Sequence, residues 1–310
     1  MKIIKKKYIG KLTLILSIFI LLFLILFKDK LKVCLCTVAK LENNYIKEFI
    51  EHYKQYNLDK IYLYDNNDIN GENFNFLSNY TKTNFLEIIN YRGIKQPQLK
   101  IYRKCYLNNY KKYNWILFYD IDEFINLTQY SDIHDFLSQK KFTKCKSIYL
   151  NWRIHTDNDL FFYDNRSLVE RFPRFINDRN YCIGKSIMRG NIENLHITGC
   201  HILDPYKERC DGFGNIIKTQ SFHCKVPDFK YNYIDHYQFK STQEFVDKIN
   251  IRGDCQFKQG SKIIYKKILE YFRFNQLTKQ KIKYISNRTG LNLTFIETKF
   301  SIDSRNPKIY

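Results

Sequence analysis

Three acids, Asp120, Asp122 and Glu123, arrive within four positions, directly after the uncharged run Trp115 to Tyr119. Two carboxylates spaced by one residue suit a hard divalent cation, which takes oxygen ligands from protein and from substrate phosphates together. The chemistry this points to is neutralisation of a diphosphate. A short run of bulky apolar residues in front of the acids reads as a strand buried on both faces of a mainly parallel sheet. Asp120 and Asp122 then fall where the strand leaves the core, at the edge where open α/β sheets bind ligands. An acidic loop or a helix start is the competing reading, since a short Asp-x-Asp pattern fits those too.

The elements around this stretch must carry its partners to the same edge. Lys32 to Val38 is rich in β-formers and reads as the first strand, with a turn at Ala39 to Glu42. From Asn43 to Tyr56, Ile46, Phe49, Ile50 and Tyr53 recur at helical spacing opposite Lys47, Glu48, Glu51 and Lys54. Ile61 to Tyr64 reads as a second strand running into the turn-formers Asp65 to Asp68, and Leu86 to Asn90 as a third. Pro97 to Asn109 reads as a helix with proline near its start. This alternation predicts a doubly wound α/β domain. Beyond Gly253 two further helices are expected, Ile263 to Phe274 and Thr278 to Ser286.

Length and composition narrow the function classes. The chain has 310 residues, 17% aromatic and 44% hydrophobic, enough for a large core and unlike a disordered chain. Its formal charge of +20 raises nucleic-acid binding, but the lysines are scattered and accompany no nucleic-acid motif. Attraction to anionic lipid or to an anionic donor explains the charge as well. Leu12 to Phe27 is an uncharged run of sixteen residues. It follows Lys2, Lys5, Lys6, Lys7 and Lys11, and no small-residue cleavage site comes after it, so an uncleaved signal-anchor is expected. The flanking lysines put the N-terminus in the cytosol and the bulk of the chain in a lumen or outside. That means the secretory pathway, with the Golgi apparatus as its station, in a eukaryotic cell, and the inner membrane in a bacterial one. There are nine cysteines and no Cys-x-x-Cys pair. Two of Cys200, Cys210 and Cys224 are expected to pair, or these three with His196, His201 and His223 to hold a structural zinc. Five Asn-x-Ser/Thr sites, at Asn79, Asn126, Asn165, Asn287 and Asn292, suit a lumenal location.

Several motifs resemble glycosyltransferase family 92 and its bacterial relatives. They are Lys40-x-Glu42 after the first strand, Tyr64-Asp65-Asn66 after the second, and Gln98, Tyr102 and Cys105 ahead of Trp115. Asn151-Trp152, Asp157 to Leu160, Tyr163 to Arg166, Glu170 to Phe172 and Lys185 to Ile187 continue the likeness. His236-Tyr237, Lys240-Ser241, Glu244-Phe245, Lys248 and Arg252-Gly253 end it. Leu41 and Thr156 depart from the family pattern, which has Asn and Gly there. The resemblance implies a GT-A fold, Rossmann-like and nucleotide-sugar-binding, over residues 32–253. A cytosolic tail and transmembrane helix over 1–31 would precede it, and a helical extension over 254–310 would follow. It implies transfer of a sugar from a nucleotide-diphosphate donor to a hydroxyl of a glycan or glycoconjugate, with inversion.

Roles follow from the resemblance and from chemistry. Asp120 and Asp122, with His236 as third ligand, would hold Mn²⁺ or Mg²⁺ against the departing diphosphate. A structural histidine is the alternative for His236. Glu123 is expected behind the ligands or at a helix start. Lys40, Glu42, Asp65, Asn66, Gln98, Asp120, Lys240 and Arg252 would contact the donor nucleotide, Lys240 and Arg252 through its phosphates. Asp157 is the candidate general base, with Asp159 and Glu170 behind it, while a loop turn or helix cap explains Asp157 equally. A membrane protein that kept the fold and binds sugar nucleotide or glycan without catalysis is the alternative function.

Overall fold

In the computed structural model the described residues are 31–176, 183–201, 208–217, 229–252, 260–294 and 296. The expected signal-anchor, His223 and Cys224 lie outside them. From Lys32 onward the chain forms one compact unit. Among the described residues no helix is long and apolar enough to cross a membrane.

A run of β-branched and aromatic residues with no polar face has to be covered on both sides, and the first half of the sheet obeys this. β1 (Val33–Ala39), β2 (Lys60–Asp65) and β4 (Trp115–Phe118) are buried at every position. β2, β1 and β4 run parallel, with β3 (Leu86–Asn90) parallel on the outer side of β2. Helix Ile46–Gln55 buries Ile46, Phe49, Ile50 and Tyr53, the stripe that its sequence spacing predicts. Helix Gln98–Asn109 packs Ile101, Tyr102, Cys105 and Tyr106 into a core with Cys34, Cys36, Tyr62 and Phe118. A disulfide between Cys36 and Cys105 fixes that helix to β1.

The second half departs from the mainly parallel expectation. β7 (Gly184–Arg189) pairs antiparallel with both β4 and β6 (Ser147–Ile154). β9 (Asn232–His236) is parallel to β6, and β5 (Glu123–Leu127) is antiparallel to β9. The order is therefore β3-β2-β1-β4-β7-β6-β9-β5, with β8 (Arg209–Asp211) beside β6. The architecture is mixed α/β. Periodicity reveals that a strand is buried, and says nothing of the direction of its neighbour.

This topology makes the turn between β4 and β5 a junction. β4 belongs to the parallel half, whereas β5 reaches the sheet through β9, with Glu123 opposite His236. Ile154 of β6 flanks His236 on its other side. The acids are thus held between two differently wound halves, at the kind of position where open sheets accept ligands.

The expected pairing among Cys200, Cys210 and Cys224 is corrected for Cys210, which bonds to Cys145. The zinc arrangement loses Cys210 for the same reason. Among the described residues no group of three His, Cys, Asp or Glu closes around a metal position. The two C-terminal helices, Ser261–Phe274 and Lys279–Thr289, pack on the α/β core. Tyr271, Asn275 and Lys281 all reach Asp157 in the loop after β6.

One glycine fixes the register beside the acids. A Cβ at Gly184 would lie 1.9 Å from the Leu150 carbonyl oxygen, far inside any real contact. Gly184→Ala must therefore push β7 away from β6 just before Lys185. Denaturant unfolding should show a loss of about 1–3 kcal/mol, the usual cost of overpacking. Gly260→Ala, with nothing within 4 Å of the new methyl, should stay within about 0.5 kcal/mol of wild type.

Candidate functional site

A carboxylate that leaves water needs a compensating charge, and each aspartate of the β4–β5 turn has one. Lys185 lies on β7, its side chain fully buried, with Nζ 2.9 Å from Asp120 Oδ2 and 3.4 Å from Glu123 Oε1. The other oxygen of Asp120 accepts from Gln98 Nε2 at 2.8 Å and from the Tyr102 hydroxyl at 3.1 Å. Glu123 is not a helix start: it opens β5, and its Oε2 accepts the Asp120 backbone N–H at 3.1 Å. It braces the turn from behind.

Asp122 is almost wholly buried and meets two groups from the C-terminal signature. Lys248 Nζ is 2.7 Å from Oδ2, and His236 Nε2 is 3.6 Å from Oδ1. The Asp122 carbonyl accepts from Tyr237 N–H at 2.9 Å, which locks the turn to the end of β9. His236 lies with its ring centroid 4.1 Å from that of Trp152. Its Nδ1 is buried and has no hydrogen-bond partner among the described residues.

Electrostatics follow from burial opposed by these lysines. Burial would raise Asp120, but the Lys185 ammonium outweighs it and holds the carboxyl below its ordinary value. Burial likewise opposes ionisation of Asp122, and Lys248 with His236 overrides it, leaving the carboxyl well below its ordinary value. For Glu123 burial outweighs Lys185 and the carboxyl is pushed well up, the negative charges of Asp120 and Asp122 adding to the rise. His236 is lowered by burial despite Asp122, which favours the neutral imidazole that ligates metals.

A metal fits this donor set in one respect and departs from expectation in another. A carboxylate and a neutral imidazole, Asp122 and His236, stand together, and such a pair suits Mn²⁺ or Mg²⁺ once phosphates complete the shell. The three expected ligands are not gathered around one point: Asp120 points its oxygens at Lys185, Gln98 and Tyr102. Its place is beside the pair.

The remaining predicted residues divide into those near the turn and those engaged elsewhere. Lys240, buried and at φ +56°, has Nζ 3.6 Å from Glu42 Oε2 and 3.5 Å from the centre of the Tyr45 ring. Lys40 pairs with the exposed Asp68 at 2.9 Å. Asp65 accepts from Arg92 at 2.8 Å and from the amide of Asn67 at 2.8 Å, while Asn66 donates to the carbonyls of Tyr91 and Ile94. Both therefore shape the loop after β2. Gln98 is a support of Asp120. Arg252 ends the π-helical segment Lys248–Arg252, and its side chain lies outside the described residues.

Asp157, the candidate general base, already has partners. Its carboxylate is buried and taken up by Lys281 at 2.5 Å, by the Tyr271 hydroxyl and by the Asp159 backbone N–H at 2.9 Å. It is an anchor for the C-terminal helices. Glu170 caps helix Leu168–Arg171 reciprocally with Ser167, whose hydrogen bonds lower its carboxyl. Asp159 is exposed and paired with Arg174 at 2.5 Å.

The sequence reading missed the roles of Lys185 and Lys248, although both stand in the motifs. The available signal was Lys185 itself, a lone cation inside an otherwise uncharged strand segment, Gly184 to Met188.

No curated protein matches the chain in sequence. Among solved structures it aligns with S. aureus TarS at 10% identity and TM-score 0.33, over 78% of this chain and 43% of that one. A structure of S. aureus TarS 1-349 aligns at 12% identity and TM-score 0.36, over 89% and 76%. GalNAc-T7 with UDP, GalNAc and Mn2+ aligns at 10% identity and TM-score 0.37, over 90% and 58%. The chain thus spans less than half of the first TarS chain.

Lys185→Met should strand the buried Glu123 and the partly exposed Asp120 and cost about 3–5 kcal/mol near pH 7. Without the ammonium Asp120 rises too and Glu123, already raised, rises further, so the folded state holds more protons and stability falls as pH rises. Denaturation at pH 4.5 and 7.5 should therefore show a smaller deficit at the lower pH. An equal deficit would contradict the assignment.

The sequence profile of Glycosyltransferase family 92 matches residues 29–292, which take in the β4–β5 turn, Lys185, His236 and Lys248, and the chain belongs to that family of sugar-transferring enzymes.

Proposed function

We propose that the chain transfers a sugar from a nucleoside-diphosphate donor to a hydroxyl of a glycan or glycoconjugate, with a GT-A type donor site at the β4–β5 turn. The carrying observation is the convergence of Asp120, Asp122, His236, Lys185 and Lys248 on one sheet junction, in a chain of family 92. A glycosidic bond breaking toward a diphosphate places growing negative charge on the phosphates. Fixed cationic groups in a low-dielectric site stabilise that charge most. Asp122 and His236 would hold Mn²⁺ or Mg²⁺, which supplies Lewis-acid stabilisation when bound. Asp120, held by Lys185, Gln98 and Tyr102, would orient the donor beside the metal. Lys40, Glu42, Asp65 and Asn66 line the loops after β1 and β2 and would frame the nucleotide, with Lys240 and Arg252 toward the phosphates. The resemblance favours inversion at the anomeric carbon.

Location is part of the reading. An N-terminal anchor over Leu12 to Phe27 would put the enzyme on a membrane with its N-terminus in the cytosol. Disulfides at Cys36–Cys105 and Cys145–Cys210 support an oxidising, extracytoplasmic side for the rest.

The test is release of nucleoside diphosphate from a panel of nucleotide sugars, with Mn²⁺ and with chelator. Asp122→Asn keeps volume and removes charge, so turnover should fall by about 10² or more. Near-normal transfer by that variant, or full activity in chelator, contradicts the metal site. Donor binding with no release at all would instead favour a sugar-nucleotide-binding protein without catalysis.

A further inference from the structure

The three lysines at this junction differ in how they are held. Lys185 and Lys240 have side chains 0% and 5% exposed, whereas that of Lys248 is 28% exposed. Lys248 opens a π-helical segment, Lys248–Arg252, directly after helix Thr242–Asp247. Single π turns inside helices occur frequently at functional sites, because the wider turn redirects a side chain. Here it brings the Lys248 ammonium to Asp122 Oδ2 at 2.7 Å and to the Gln238 carbonyl oxygen at 3.2 Å. An ammonium has three donors, and no third partner stands among the described residues.

That placement creates a competition. The carboxylate best placed to take a divalent cation, with His236 beside it, already carries a cation. A metal arriving alone has to displace Lys248, leaving the ammonium with its carbonyl contact only. A metal arriving with a diphosphate faces no such loss. The phosphate brings negative charge to the same place, and Lys248 can exchange a carboxylate oxygen for a phosphate oxygen while Asp122 accepts the metal. Charge is balanced before and after, which a buried carboxylate requires.

We propose that Lys248 is an exchangeable counter-ion of the donor site. It neutralises Asp122 until a nucleoside diphosphate and its divalent cation arrive together, and then binds a phosphate oxygen. This rests on the donor-site reading above and adds an order to it: metal binds weakly alone and firmly with the diphosphate. Lys248 is a binding residue that also sets the coupling between two ligands.

The experiment measures binding on the full-length protein. Mn²⁺ alone is titrated and read as loss of the free-ion electron paramagnetic resonance signal, and UDP and GDP are titrated calorimetrically at saturating Mn²⁺. Lys248→Met and Lys248→Gln remove the competing charge. Either should bind Mn²⁺ alone about tenfold more tightly and the diphosphate about tenfold more weakly, within the usual range of coupling between sites. Lys248→Arg keeps the charge and should leave both affinities near wild type. Variants that bind Mn²⁺ alone no better than wild type, or hold the diphosphate as tightly, overturn the proposal. A wild-type protein that binds neither UDP nor GDP with Mn²⁺ overturns the donor-site reading itself, so the two failures are separable.

Discussion

The Lys185 ammonium, without solvent contact and set between Asp120 and Glu123, is the interaction on which this structure depends. An isolated charge so deep is very costly, and so is either carboxylate without it. The strand that carries Lys185 joins the parallel half of the sheet to the antiparallel half. The ion cluster and the topology are therefore one constraint. β7 must lie between β4 and β6, in a register that only a glycine at 184 allows, for the charge to reach the turn.

Around that centre the two aspartates are held differently. Asp120 is gripped by Lys185, Gln98 and Tyr102. Asp122 is backed by His236 and met from outside by Lys248, whose side chain is more than a quarter exposed. The aspartate with three partners suits orientation of a ligand, and the one whose lysine is partly exposed suits exchange. Asp157, another buried aspartate ahead of β7, serves the fold. With Lys281 and Tyr271 it ties the two C-terminal helices to the loop that follows β6.

Much of the first half was legible in the sequence, because its strands are short apolar runs and its first helix carries a clean stripe. The acids after Trp115 to Tyr119 were legible for the same reason: a buried strand cannot end in three acids without something to meet them. Strand direction beyond β4 was not legible. β5, β7 and β9 are nearly as buried as the parallel strands, and pairing direction depends on connections the pattern does not encode. The partners of Asp157 and Gln98, Lys281 and Asp120, were not legible because they lie 124 and 22 positions away. The cysteine pairing failed likewise, as proximity in sequence suggested Cys200 and Cys224 for Cys210, while β6 and β8 bring it to Cys145.

The central claim is that the β4–β5 turn receives a metal-bound diphosphate at Asp122 and His236. Anomalous diffraction from crystals grown with Mn²⁺ and a nucleoside diphosphate measures this directly. The account predicts a single strong manganese peak within coordinating distance of an Asp122 oxygen and a His236 ring nitrogen, with phosphate density beside it and the Lys248 ammonium moved off Asp122. A diphosphate bound elsewhere, or one bound at this turn with Lys248 still on Asp122 and no manganese peak, would contradict it.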